Sequence, residues 1–113
     1  MSFFLEVSVR RLRTIHYRLD DILTFLRVME TGSISTTAQH MGLSKSVVSK
    51  RISDLEAVLK VKLLHRSTRG VVPTDKGTVF YYRACSIVRQ LDQAAEELME
   101  QDELCGSLRI AAL

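Results

Sequence analysis

A small, mainly helical fold is predicted: three short helices, a two-stranded hairpin, then one long helix. Three observations point to it. Apolar residues recur at helical spacing in three runs that glycines interrupt. The pattern shortens to strand-like runs between residues 62 and 73, and beyond Thr74 it becomes a seven-residue apolar repeat.

The first helix begins at Leu19. Ile22, Phe25, Leu26 and Met29 follow the i, i+3, i+4, i+7 pattern of one apolar face, and Gly32 ends it. Ser33 or Ser35 can cap the second helix, where Ile34, Ala38 and Met41 face inward, and Gly42 suits the left-handed turn that closes it. Ser44 caps the third, with Val48, Ile52, Leu55 and Leu59 as its buried stripe. Residues 62–66 and 71–73 are short enough to pair as strands, with Ser67, Thr68, Arg69 and Gly70 at the tip. Pro73 ends the second strand, and Thr74 caps a helix with Asp75 in its first turn. That helix is expected to run to about Glu103 and break at Gly106, with Leu108–Leu113 starting a strand whose sheet would belong to a following domain.

At 113 residues, 46% hydrophobic and 26% charged, the chain has the composition of one ordinary globular domain plus an extended element. Charge is unevenly placed. Residues 44–70 hold seven cations against Asp54 and Glu56, a net +5, whereas residues 74–113 are net −3. A polyanionic partner is expected for the first block alone. No apolar run is long enough for a membrane span, and the arginines of residues 10–18 follow the apolar part, the reverse of a secretory signal. Cys85 and Cys105 would lie about 30 Å apart on one helix, too far to pair, which fits a reduced, cytoplasmic setting.

Residues 32–51, GSISTTAQHMGLSKSVVSKR, carry the most information. With Val48 at the centre of the third helix's buried stripe, Ser46, Lys50, Ser53 and Ala57 fall within roughly 40° of the opposite pole, flanked by Val47 and Ser49. That face is short-chained, hydrogen-bonding and cationic at the helix start. Major-groove readout needs such groups: a lysine for guanine acceptors, serine for several base edges, an aliphatic residue for a thymine methyl. The helix N-terminus also offers free N–H groups to phosphate. The plainer alternative makes Ser44 only a cap and Lys50 and Arg51 a solvated face. Arg66 and Arg69 beside the hairpin tip weigh against it, because a wing supplies phosphate or minor-groove contacts in that way.

In the long helix, Phe80, Ala84, Ile87, Leu91, Ala94 and Leu98 alternate spacings of four and three, a heptad seam. So small a domain cannot cover the whole stripe, so self-association is expected. Two reading helices related by a two-fold axis then call for an inverted repeat. His16, His40 and His65 are dispersed without companion ligands, neither cysteine has a neighbouring His, and no phosphate-binding loop or dinucleotide fingerprint occurs. No catalytic constellation can be assembled, so an enzyme is not expected. The competing class is a dimerisation module that sequesters related chains through protein contacts.

These residues bring the chain to a known pattern. LDDILTFLRVMETGSIS, A-x-x-MGLSKSVVSKRISDLE and LLHRSTRGVVPTDKG, followed by the long helix, resemble the N-terminal winged helix-turn-helix domain of LysR-type transcriptional regulators across residues 19–77. GSLRIA at 106–111 is similar to the first strand of that family's effector domain. The resemblance implies a winged helix-turn-helix domain over 19–76 (helix-turn-helix about 34–53), a linker or dimerisation helix over 77–104, and the start of an effector-binding domain at 105–113. It implies double-stranded DNA as partner, a homodimer built antiparallel through the linker helix, and RNA polymerase as a partner of the full-length protein. No cofactor is implied for this part of the chain, and a small-molecule effector would belong to the domain that follows.

Carried over by position, Lys45, Ser46, Ser49 and Lys50 are the implied base readers, with Ser44 and Arg51 beside them. Arg66, Ser67, Thr68 and Arg69 fall at wing positions, and Ser33, Ser35 and Thr36 at phosphate-contacting ones. The seam Phe80, Ala84, Ile87, Leu91, Ala94 and Leu98 is the implied dimer interface. The chain departs from the pattern at Thr36 and Thr37, where the family has small alanines, at Lys45, often Gln or Pro, and at Lys60, usually Gly. Residues 1–18 have no counterpart and read as a flexible extension or, alternatively, an Arg-bearing minor-groove arm.

Overall fold

The computed structural model describes residues 17–112, with side chains as far as Glu100. Six elements follow in order: α1 (Leu19–Thr31), α2 (Ile34–Met41), α3 (Lys45–Leu59), β1 (Leu64–Ser67), β2 (Gly70–Pro73) and α4 (Asp75–Ala112). The chain divides into two compact units between Tyr82 and Arg83.

In the first unit α1 packs on α2 and α3, and α2 packs on α3. The core is built from Phe25 and Val28 of α1, Val48, Ile52 and Leu55 of α3, and Leu63 beyond it, all essentially fully buried. Each such side chain contributes about 1.5–3 kcal/mol of transfer free energy. The buried face of α1 differs from the expected one. Ile22 and Met29 are only half-buried, while Thr24 and Val28 are fully enclosed. A helix touching two neighbours buries a wider arc than one stripe. Thr24 tolerates this because its hydroxyl donates to the Asp20 carbonyl at 2.7 Å.

Each predicted turn has a local cause. Gly32 and Gly42 close α1 and α2 in the left-handed conformation, at φ 70° and 66°. Ser33 rather than Ser35 caps α2, accepting from the Thr36 N–H at 3.1 Å, and Ser44 caps α3, accepting from Val47 N–H at 3.2 Å. Lys60 ends α3 at φ 59°, the only non-glycine with positive φ among the described residues. That conformation costs an L-residue about 1–2 kcal/mol. Glu56 compensates locally: its carboxylate accepts from the N–H groups of Leu63 (2.8 Å) and Leu64 (3.3 Å) and ties the loop to the helix.

The hairpin is antiparallel, with Leu64 opposite Pro73 and Ser67 opposite Gly70. Its tip is tighter than expected. Ser67 and Gly70 form the last pair, so Thr68 and Arg69 alone make the turn. Thr74 then starts α4 by accepting from Gly77 N–H at 2.9 Å while its hydroxyl reaches the Lys62 carbonyl at 2.6 Å.

The sequence pattern predicts an end to α4 near Glu103 and a strand at 108–113. The backbone instead stays helical through Gly106 to Ala112, and Leu113 lies outside the described residues. A lone strand would leave its backbone groups unpaired, whereas a helix satisfies them within the segment, and one glycine costs only about 1 kcal/mol. Of the extension expected over residues 1–18, residues 1–16 also lie outside the described residues. Arg18, its last residue, supplies the carbonyl that receives the first N–H groups of α1, from Asp21 and Ile22.

Gly77 is required by packing. A Cβ there would fall on the Leu63 carbonyl oxygen and 2.9 Å from its carbonyl carbon. Alanine would gain about 1 kcal/mol of helix propensity, but relieving the overlap costs about 1–3 kcal/mol. Gly77→Ala is therefore expected to lower stability in urea unfolding, and a variant as stable as the wild type would contradict this contact.

Candidate nucleic-acid interface

The orientation of α3 is set by burial on one side. With Val48, Ile52 and Leu55 enclosed, Ser44, Lys45, Ser46, Val47 and Lys50 come out exposed at its N-terminal end, and Ser49 half-exposed. The Ser44 and Ser46 hydroxyls lie 3.1 Å apart, so one cap group and one outward group form a hydroxyl pair at the helix start. Lys45 has no ion-pair partner among the described residues, and Lys50 sits 2.9 Å from Asp54, one turn along. Both members of that pair are substantially exposed, so it is worth only a few tenths of a kcal/mol.

The hairpin joins this surface through one contact. Arg66 donates from Nη1 to Ser49 Oγ at 3.1 Å and from Nη2 to the Ser49 carbonyl at 3.3 Å. At the tip, Ser67 Oγ accepts from Arg69 N–H at 3.2 Å, leaving the exposed side chains of Thr68 and Arg69 pointing into solvent. In α2, Ser33 is engaged as the cap, Ser35 is exposed and Thr36 half-buried.

Not every sequence-nominated residue lies on this outer surface. Arg51 turns inward: it is half-buried and donates from Nη1 to Thr24 Oγ1 at 3.2 Å, bridging α3 to α1. It lies only about 60° from Val48 around the helix, too close to the buried stripe for a free outward reach. Phe80 likewise is committed to its own unit, its ring 5.8 Å from that of Phe25. In the second unit Ala84 is buried and Ala94 exposed, while Ile87, Leu91 and Leu98 remain 65%, 54% and 63% exposed, an apolar row at heptad spacing.

Sequence reasoning missed three structural contributors. Thr31 holds the α1–α2 turn, its hydroxyl 2.8 Å from that of buried Thr37 and 3.0 Å from the Ser33 carbonyl. This accounts for Thr37 where the family pattern favours alanine: the extra hydroxyl has a partner. Glu56 and the Arg66–Ser49 contact were also missed. Their signals are tertiary and leave no periodicity to read. His40 and His65 are exposed on α2 and β1, and Cys85 is half-buried. Among the described residues no group of three or more His, Cys, Asp or Glu is placed to hold a metal ion. No helix among them is long and apolar enough to cross a membrane.

The three-helix core, the capped α2–α3 pair and the hairpin packed beside the outward face of α3 define a winged helix-turn-helix protein. The model of the bacterial regulatory helix-turn-helix proteins of the lysR family matches residues 19–78, and the chain belongs to that family. It is 40% identical over 76 residues to an HTH-type transcriptional regulator of Xanthomonas campestris pv. campestris, covering 67% of this chain and 22% of that protein. It is 37% identical over 98 residues to the HTH-type transcriptional regulator PtxR of Pseudomonas aeruginosa, covering 86% of this chain and 31% of that one. The chain thus spans between about a fifth and a third of these curated relatives. Among solved structures, the DNA-binding domain of BenM in complex with catB site 1 DNA aligns with a TM-score of 0.72 at 27% identity, covering 74% of this chain and 94% of that one. The LysR-family transcriptional regulator CbnR aligns at 0.68, also 27% identical, over 72% of this chain and 28% of that one.

Beneath this surface Asp21 is only 5% exposed. Burial raises its pKa above the usual 3.8, with Asp54 and Asp20 adding to the rise and Arg18 and Arg51 opposing it. The folded state therefore holds this proton more tightly than the unfolded chain. The resulting stability is complete below the unfolded pKa and lost as pH rises through the folded one, so the ionised carboxylate is a cost at neutral pH. Asp21→Asn is expected to raise the melting temperature at pH 7, by a margin that shrinks toward zero as the pH approaches 3.8. A margin that grows on acidification would reverse the assignment.

Proposed function

We propose that this chain is the DNA-binding part of a LysR-type transcriptional regulator, reading an interrupted inverted repeat in double-stranded DNA as a dimer. The observation that carries it is the N-terminal face of α3, where Lys45, Ser46 and Lys50 are exposed and Ser49 is held by Arg66 of the adjoining hairpin. Short hydroxyls and flexible cations are the groups that can approach base edges in the major groove. Ser33, Ser35 and Thr36 at the start of α2 serve phosphate, as do Thr68 and Arg69 at the hairpin tip. Arg51 acts by bracing α3 on α1. Solved relatives include DNA-binding domains of BenM and CbnR in complex with DNA, which supports the same partner here.

The second unit supplies the pairing. Ile87, Leu91, Ala94 and Leu98 form the seam on which a second copy packs, with Ala84 and Phe80 at its inner end. A dimer fixes the spacing of two reading helices and so of the half-sites. In the complete regulator an effector-binding domain would take a small-molecule ligand and RNA polymerase would be the downstream partner, in the cytoplasm.

Selection from random duplexes at near-physiological salt tests the reading. Recovery of an interrupted inverted repeat, with log affinity falling linearly against log salt, is the expected result. Enrichment of nothing, beside tight association with a related chain, would favour the sequestering module instead. Within the selected site, Lys50→Ala is expected to cost about 1–3 kcal/mol and relax one base pair. Arg69→Ala should weaken all sequences alike and reduce the salt slope by about one. The opposite pattern would exchange the roles of reader and anchor.

Leu91→Asp places a charge in the exposed seam of the second unit. It is expected to weaken operator binding while leaving the melting of the winged domain unchanged. A variant that stays dimeric with wild-type affinity would remove this helix from the pairing.

A further inference from the structure

Arg66 falls at a wing position, for which phosphate or minor-groove contact is expected, yet its geometry gives it other work. Side chains alternate along β1, so Arg66 shares a face with Leu64, which is 3% exposed and part of the core. The strand therefore delivers the arginine toward α3. Its planar fork places one N–H on Ser49 Oγ and another on the Ser49 carbonyl, 3.1 and 3.3 Å away. Two parallel donors from a rigid group to two acceptors of a single residue fix that residue's rotamer as well as its position. Arg69, at the tip, has no such engagement among the described residues and keeps its side chain exposed.

The consequence falls on the Ser49 hydroxyl. A serine hydroxyl is one donor and an acceptor of two. With a guanidinium N–H directed at its oxygen, its own proton turns away from Arg66 and is left to be donated outward. We propose that Arg66 is a positioning residue for sequence readout: it clamps Ser49 so that the hydroxyl meets the major groove as a donor. One lone pair of the hydroxyl stays free, but a cation donating to the same oxygen polarises it as a donor, so a base that offers an acceptor, as guanine, adenine and thymine do, is favoured. Cytosine presents only its N4 amino donor there and is disfavoured. This rests on the reading that α3 enters the major groove.

The test compares selected-site profiles and salt slopes for the full chain and for Ser49→Ala, Arg66→Lys and the double variant. Both side chains are outside the core, and a melting curve for each variant checks that the fold is kept. Arg66→Lys keeps the charge but loses the fork. The expected result is that both single variants flatten the preference against cytosine at the same base pair, by about tenfold. The salt slope of Arg66→Lys stays at the wild-type value, and the double variant discriminates no worse than either single one. If Arg66→Lys leaves the profile unchanged, or flattens a different base pair from Ser49→Ala, the positioning role is overturned and Arg66 is an anchor or an independent reader. If the unmodified chain enriches no sequence, the major-groove reading itself fails and takes this proposal with it; a wild-type repeat with no shared base pair fails the proposal alone.

Discussion

The enclosure of Val48, Ile52 and Leu55 against α1 is the constraint on which the rest of the molecule depends. These three residues occupy positions i, i+4 and i+7 of α3, and all are at most 1% exposed. Burial of the stripe contributes several kcal/mol, far more than any surface contact of the same helix. It settles the rotation of α3, and rotation decides which residues are available to a partner. Lys50 is outward because Ile52 is inward. Arg51, between them, is drawn to Thr24 and becomes a brace.

The hairpin is held to this core by backbone economy rather than by a large apolar face. Leu63 and Leu64 are its only deeply buried side chains. Their N–H groups go to Glu56, the Leu63 carbonyl receives Thr74 N–H at 3.0 Å, and Gly77 comes close enough that no side chain fits between. One stretch of backbone thereby locates the end of α3, the root of the wing and the start of α4. Lys60, immediately before it, is kept in an unfavourable left-handed conformation because these contacts over-determine the chain's path.

Most of the fold was legible because it is written in local patterns. Serines at helix starts, glycines at two helix ends and apolar periodicity each act over a few residues, and Ser44, Gly32, Gly42 and Thr74 fill the roles their chemistry suggests. The outward face of α3 followed from the same periodicity. What could not be read was contact between distant parts. Thr24 is buried where α1 meets its neighbours, and its hydroxyl receives Arg51 from far along the chain. Ser49 looked like a free reader and is a held one. Phe80 fits a heptad as well as it fits a domain core, and periodicity cannot choose between partners. The helical course of α4 past Gly106 is not legible because a run of β-compatible residues after a glycine fits a strand as well as a helix.

Two long cations of the reading surface, Lys50 and Arg66, are held in electrostatically different ways. Lys50 faces a carboxylate, so the local field of that pair is largely cancelled until Asp54 is left behind. The pair is exposed and worth little, so a base or phosphate acceptor of comparable strength displaces Asp54 at small cost. Arg66 faces a hydroxyl and a carbonyl, both neutral, so it is ordered without being neutralised. Its full charge remains at the junction of wing and helix, where it strengthens the attraction of a polyanion even while its donors are engaged. A residue can thus contribute to affinity through its field and to specificity through its hydrogen bonds. Replacing the guanidinium by an ammonium separates the two, because charge survives the change and fork geometry does not.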